Sequence, residues 1–308
     1  MASVDLKKIS TENRNINTMD IDNVSTKKIC KLINNEDRLV AGAVKEAIPQ
    51  IVPLIDACVR GMRKDGRIIY AGAGTSGRIG LLDAVECRPT YSCTDEMVQC
   101  LMAGGEGAFV KAVEGAEDNI ELGKNNLLKL KPNKNDVVIG IAASGRTPYV
   151  VGVLEAAKEA GCATGCIVTS RNSKIAKMVD YPIEAITGAE PITGSTRMKS
   201  GTAQKMICNM ITTATMIKLG RVYSNLMVDV QMTNEKLRNR GRSIVMDATG
   251  VSEKEASCAI DKYGSVKNAV FGILSGIEEK EEVDKRMKKA KGNIRVALKN
   301  IEKEKRNK

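Results

Sequence analysis

The sequence predicts an α/β protein built on a doubly wound parallel sheet, with a small helical appendage at its C-terminal end. Three observations carry this. A short apolar run that ends in a small-residue loop and enters a helix occurs twice, at residues 67–71 (RIIYA) before GAGTSG and at residues 136–142 (DVVIGIA) before ASGRTP. Further strand-like runs at 97–102, 165–169 and 182–186 alternate with helical segments, the pattern of parallel strands joined by crossover helices. Beyond Gly250 the pattern becomes wholly helical.

Taken in order, residues 1–25 are polar and read as an irregular arm. Residues 27–64 carry apolar positions at intervals of three and four (Ile29, Leu32, Ile33, Leu39, Val40, Val44, Ile48, Val52, Ile55, Val59), which predicts a long helix. The two strand–loop–helix repeats follow, the second leading into an apolar helix over 149–160. Long helices are expected at 198–219 and 226–247. Residues 251–275 read as two short helices, the first opened by Ser252 with Glu255 three positions on, the spacing of a capping box. The domain reading is therefore 1–250 for the sheet domain with its helical arm and 251–308 for the helical appendage.

Composition narrows the chemistry. The 308 residues include no Trp, two Phe and six Tyr, so the core is aliphatic and a base-stacking nucleic-acid surface is disfavoured. Net charge is +11, but residues 278–308 alone hold twelve Lys/Arg against seven Asp/Glu, the mark of a solvated mixed-charge tail rather than a nucleic-acid footprint. Nine Cys without paired spacing, no leader-like opening and no long apolar run point to reduced thiols in a cytoplasmic protein with no membrane segment. Histidine is absent. That removes the commonest general base and the commonest zinc ligand together, so acid–base work falls to Glu, Asp, Lys, Tyr or Cys, and a metal-dependent hydrolase is disfavoured.

The loops suggest what is bound. Gly74, Thr75 and Ser76 in the first and Ser144, Gly145 and Thr147 in the second combine glycine, which admits close backbone approach, with hydroxyl donors at a helix start, where free N–H groups favour an anion. A third cluster, Thr193–Arg197 by number 193–197, brings Ser195 and Thr196 before another helix. Ordinary tight turns with helix caps would look similar. A dinucleotide site is disfavoured because Asp83 and Glu86 come too early to be the acidic residue at the end of a second strand, and neither loop has the Gly-Lys-Ser/Thr ending of a nucleotide P-loop. Two matching Ser-Gly-Arg loops favour a monophosphate. Among carboxylates, Glu86 follows the first loop on a helix with mainly apolar neighbours, where burial would raise its pKa and let it act as an acid. Glu114 and Glu117 share a face if residues 112–118 are helical. The residues alone thus describe a phosphosugar-binding protein with candidate Glu acid–base groups.

Five segments in order (67–90, 112–118, 136–150, 193–205 and 225–238) closely resemble those of the N-acetylmuramic acid 6-phosphate etherases, with the likeness running from about residue 20 to 250 and more weakly beyond. The resemblance implies the SIS sugar-isomerase fold, a homodimer and a cofactor-free reaction in which water and the muramic acid phosphate give N-acetylglucosamine 6-phosphate and D-lactate. It places the two family glutamates on Glu86 and Glu117 and the phosphate contacts on Thr75, Ser76, Ser144 and Thr147, with Ser195 and Thr196 as further candidates. Two positions depart from the family pattern: Val85 stands where Ser is common and Arg88 where Pro is common. A cation beside Glu86 would lower its pKa and shift the pH optimum down. The non-enzyme alternative is a sugar-phosphate-sensing regulator similar to the glucokinase regulatory protein, which carries two tandem SIS domains where no duplication is visible here. An isomerase of the same fold often uses His for ring opening, and this chain has none.

Overall fold

The structure is a computed structural model that describes residues 10–111, 113–232 and 234–306. Five strands form a single sheet: β1 (Ile68–Gly72), β2 (Val98–Met102), β3 (Val137–Ile141), β4 (Ala163–Val168) and β5 (Tyr181–Glu184). Their spatial order is β2-β1-β3-β4-β5, and every pairing is parallel. The doubly wound parallel sheet expected from the repeated strand–loop–helix units is thus present. β1 and β3 are buried along their whole length, while the edge strands β2 and β5 are partly open, as the position of each in the sheet requires.

The connecting helices are α2 (Gly74–Tyr91), α3 (Ile120–Lys129), α4 (Pro148–Glu159), α5 (Lys174–Met178) and α6 (Lys199–Lys218). They are preceded by α1 (Thr26–Met62), whose N-terminus is capped by the Ser25 hydroxyl accepting from Lys28 N–H. Val40, Val44, Ala47, Ile51, Leu54 and Cys58 form its buried stripe. The apolar pattern read from the sequence was broader than that stripe: Leu39, Ile48 and Val52 lie on α1 but remain 42–55 % exposed. Residues 10–25 form three single-turn 3-10 helices rather than a continuous element.

The register of the central pair is locked at its amino end. Asp136 is fully buried, and its carboxylate accepts from the Arg67 backbone N–H and from Arg67 Nε and Nη2, the last at 2.6 Å. At the other end Gly72 pairs in register with both Met102 and Ile141, so the loops after β1, β2 and β3 leave the sheet at one level.

The described chain groups into two compact units, Met1–Val85 with Asp95–Thr212, and Glu86–Thr94 with Thr213–Lys308. The first holds the sheet. The second is helical and contains α7 (Glu235–Thr249), α8 (Glu253–Tyr263), α9 (Val266–Ser275), α10 (Lys280–Lys289) and α11 (Ile294–Arg306). Its core includes Ile244, Val245, Ile260, Val270, Phe271, Val283 and Ile294. Residues 251–308 lie within this second unit. Ser252 and Glu255 form the capping box that the spacing predicted. The helix expected at 226–247 begins later, at Glu235, because the Asn234 side chain accepts from Leu237 N–H and fixes the first turn there. Tyr223 and Leu226 bridge upstream of it in place of a helix.

Six of the nine cysteines are buried, and among the described residues no two are joined by a disulfide. Burial pushes the thiols of Cys58, Cys100 and Cys166 up to about 12, which keeps them protonated and unreactive. Among the described residues no helix is long and apolar enough to cross a membrane.

Candidate active site

In a sheet of this order the winding direction reverses between β1 and β3, and ligands bind where the loops after those two strands diverge. Those loops are the two small-residue segments picked out by sequence. After β1 the chain turns directly into α2 at Gly74, whose φ of +53° suits glycine. The turn is closed tightly: a Cβ on Gly77 would stand 2.8 Å from the Gly72 carbonyl oxygen, and a Cβ on Gly72 would stand 2.6 Å from Gly77 N. Gly77 N–H bonds to the Ala73 carbonyl, so the N–H groups of Gly74, Thr75 and Ser76 belong to the open first turn.

After β3, Gly145 takes φ +64° and packs against Ser173, whose Oγ would lie 2.2 Å from a Cβ at that position. Its carbonyl accepts from Ile175 N–H, which ties the loop to α5. Thr147 is the N-cap residue of α4 with Pro148 at the first helical position, yet its hydroxyl makes no capping bond. The start of α4 is therefore an uncapped anion-favouring terminus of twelve residues' helix. Thr75, Ser144 and Thr147 are half-buried, Gly74 is exposed, and Ser76 is 9 % exposed with its hydroxyl donating to Gln204 Oε1 at 2.9 Å.

The third cluster is arranged differently. The N-terminus of α6 is already occupied by the fully buried Glu190, whose carboxylate accepts from the backbone N–H groups of Lys199 and Ser200 and from the Ser200 hydroxyl. A carboxylate in that position neutralises the helix terminus that a phosphate would otherwise use. Ser195 and Thr196 are half-buried in the turn before it. The Thr196 carbonyl accepts from Gly201 N–H, and a Cβ on Gly201 would lie 3.4 Å from Thr75 Cγ2, so this segment lies beside the first loop.

α6 holds the loops after β1 and β3 from one face. Gln204 engages Ser76 of the first, and Ser200, one turn earlier, receives the Thr169 hydroxyl, which also lies 3.1 Å from the Ala143 carbonyl of the second. Glu190, Ser200 and Gln204 were not identified from sequence. A polar pair four residues apart in a buried helical stretch was the available signal.

A cleft of about 340 Å³ opens beside Gly74. Glu114, Gly115 and Glu117 line it together with Met102 and Arg78. Residues around Glu117 form a 3-10 turn at Ala116–Asp118, not the helix considered from sequence, because Gly115 takes a left-handed φ of +72° immediately before it. Arg78 does not point a free guanidinium at a ligand: its Nε and Nη2 donate to the Phe109 and Ala108 carbonyls, pinning the segment that leads into the cleft wall.

The carboxylates of α2 divide sharply. Asp83 is 4 % exposed and accepts from Asn209 Nδ2, Tyr70 hydroxyl and Thr212 hydroxyl. Burial pushes its carboxyl up against those bonds, and its role is to tie α2 to α6 and β1. Glu86 is exposed, which corrects the expectation that apolar neighbours would bury it. Its helix carries small and apolar side chains around it, but Leu82 and Val85 are themselves 45 % exposed. Along α2 Glu86 stands about 18 Å from Gly74 at the usual rise of 1.5 Å per residue. Among the described residues no cluster of three or more His, Cys, Asp or Glu side chains could hold a metal ion.

Comparison with known proteins agrees with the geometry. Residues 50–158 match the glucokinase regulatory protein N-terminal SIS domain, and residues 118–214 match the SIS domain. The chain is 52 % identical over 299 residues to the N-acetylmuramic acid 6-phosphate etherase of Clostridioides difficile strain 630, covering 97 % of this chain and 98 % of that one. It is 51 % identical to the protein of the same name from Clostridium botulinum strain Eklund 17B, covering 95 % of this chain and 97 % of that one. The Bacillus cereus strain AH187 protein of that name is 50 % identical, covering 95 % of this chain and all of that one. With nearly full-length identity of this order, the chain belongs to the N-acetylmuramic acid 6-phosphate etherase family.

Proposed function

We propose that the chain cleaves the D-lactyl ether of N-acetylmuramic acid 6-phosphate, holding the phosphate between the loops after β1 and β3 and moving protons with Glu117 and Glu86. The observation that carries this reading is the pairing of two open helix starts at the β1/β3 divergence with a carboxylate-lined cleft against Gly74. Gly74, Thr75, Ser76, Ser144 and Thr147 supply N–H and O–H donors to the phosphate, and Gly145, whose own N–H is bonded to the Ala142 carbonyl, turns the second loop so that its backbone comes close to the anion. Ser195 and Thr196, beside the first loop but ahead of a helix already capped by Glu190, contact the sugar side rather than the anion.

The chemistry follows from the substrate. Opening the pyranose places an aldehyde next to C2 and acidifies its proton. One carboxylate removes that proton, the C3–O bond breaks, and lactate leaves with a proton from a carboxylic acid. Water then adds at C3 of the unsaturated aldehyde, a proton returns to C2 and the ring closes. Water plus substrate thus gives N-acetylglucosamine 6-phosphate and D-lactate. Glu86 serves as the acid to the leaving lactate and Glu117 as the second acid–base group.

The functional particle in this reading is a cytoplasmic homodimer. Two apolar patches support it, Leu39, Ile48 and Val52 on α1 and Leu82 and Val85 on α2. The exposure of Glu86 and its distance along α2 from its own phosphate loop support a further step: Glu86 of each copy completes the site of the other.

Incubation of the protein with N-acetylmuramic acid 6-phosphate in H₂¹⁸O tests the reading. D-lactate is expected without label, with the solvent oxygen at C3 of the amino sugar. A folded preparation that releases no lactate overturns it, and label in the lactate means that a different bond is cut.

A further inference from the structure

Gln204 lies on α6 and is 1 % exposed. Its Oε1 accepts the Ser76 hydroxyl proton at 2.9 Å, and its Nε2 is buried with no hydrogen-bond partner among the described residues. A buried amide N–H without an acceptor is rare in folded proteins, whereas an under-satisfied carbonyl oxygen is less so. Rotating the amide by half a turn relieves the rarer fault: Nε2–H then donates to Ser76 Oγ, and the carbonyl oxygen takes the unpartnered position.

The two orientations have opposite consequences for Ser76. A serine hydroxyl has one proton to donate. With Oε1 toward Ser76, that proton is spent on Gln204. With Nε2 toward Ser76, the hydroxyl accepts from Gln204 and its proton is released to a second partner. A phosphate dianion offers only acceptors, so it bonds to Ser76 in the second arrangement alone. We propose that Gln204 is a positioning residue whose amide reverses the polarity of the Ser76 hydroxyl, from a donor spent on the protein to a donor aimed at the substrate phosphate. This rests on the phosphate reading of the loop given above. An amide is suited to the task because it presents a donor and an acceptor at nearly the same place. A carboxylate would hold Ser76 permanently in the spent orientation, and an apolar side chain would leave the hydroxyl undirected.

The test is a double-mutant cycle in the full chain, with kcat and KM for lactate release from N-acetylmuramic acid 6-phosphate and a melting curve for each variant. Ser76→Ala is expected to raise KM by about 10- to 100-fold, the range for a hydrogen bond to a charged group, with kcat little changed because the phosphate is bound equally in ground and transition states. Gln204→Met is expected to raise KM by about 2- to 10-fold in the native background and to add nothing in the Ser76→Ala background. Gln204→Glu, of the same shape but accepting only, is expected to raise KM more than Gln204→Met. An equal effect of Gln204→Met in both backgrounds, or an effect on kcat in place of KM, overturns the proposal. If Gln204→Met fails to fold, the comparison passes to Gln204→Glu, whose KM at or near the native value overturns it alone. Failure of the native protein to release lactate would instead overturn the phosphate-ether reading itself.

Discussion

The Nζ of Lys199 lies 2.7 Å from Oε2 of Glu36, and both side chains are almost wholly removed from water. Lys199 Nζ also donates to the Ala189 carbonyl, and Asn17 Nδ2 donates to the other Glu36 oxygen. The pair therefore joins α1 and the turn at Ile16–Thr18 to the segment that carries Glu190 onto the start of α6. Removing Lys199 alone leaves a carboxylate buried without its cation. Lys199→Met is expected to lower stability by about 3–5 kcal/mol, measured by urea unfolding at neutral pH. A loss below about 1 kcal/mol would show that the pair is replaceable by apolar packing.

The same pair gives the protein an acid limb. Burial pushes the Glu36 carboxyl up, but hydrogen bonds from Lys199, Asn17 and Asn15 and the charge of Lys199 outweigh it and hold the group below its ordinary value of 4.5. With the folded value below the unfolded one, the carboxylate contributes fully above the unfolded value, and its contribution is lost as pH falls through the folded value. Stability should decline on acidification below pH 4.5. Glu36→Gln should be less stable at neutral pH and show a flatter acid limb in the same titration; an unchanged slope would assign the limb to other groups.

Mutation of Glu86, Glu117 and Asp83 should separate chemistry from architecture. Glu86→Gln and Glu117→Gln are expected to cut kcat by about 10²- to 10⁴-fold, the usual range for general acid–base help. Both side chains are exposed, so melting temperatures should barely move. Asp83→Asn should do the reverse, losing stability through its three buried donors while retaining most turnover. Near-normal turnover in Glu86→Gln would remove it from the acid role.

Mixing tests whether two copies share each site. Glu86→Gln and Glu117→Gln homodimers should each be inactive, and random reassembly of the two should restore about one quarter of native activity, since half the dimers would carry one intact site of two in an isologous pair. No recovery would place both glutamates of a site in one chain. If the proposed homodimer forms through this patch, Leu82→Glu should weaken it, read as a shift of mass by light scattering; an unchanged mass would remove the patch from the interface.

The first loops should tolerate no side chain at two glycines. Gly145→Ala must displace Ser173 and adopt a strained φ, and Gly77→Ala must push β1 from α2. Each is expected to cost about 1–3 kcal/mol of stability, as overpacking does, and to raise KM for the phosphorylated substrate. KM unchanged in Gly145→Ala would separate that loop from the phosphate.

Much of this was legible because it is local. A five-residue apolar strand, a glycine-rich turn and a hydroxyl at a helix start are written in adjacent positions, so the two strand–loop–helix units and the β1/β3 framework could be read directly. The environment of a side chain is not local. Glu86 was expected to be buried because its sequence neighbours are apolar, yet it is exposed, since Leu82 and Val85 on the same helix also remain open. Likewise α1 carries an apolar pattern wider than the face it buries.

The sequence by itself determined the fold class, the absence of histidine-based chemistry, the two small-residue loops that open α2 and α4, and the kinship with the etherase family. Tertiary structure alone decided which helix start remains open, with α4 uncapped and α6 closed by Glu190. It alone decided that Asp83 is architectural and that Ser76 answers to Gln204, a residue 128 positions away. The physical reason is that hydrogen bonds and ion pairs join groups brought together by sheet order, and the Glu36–Lys199 pair spans 163 positions of chain that no local pattern connects.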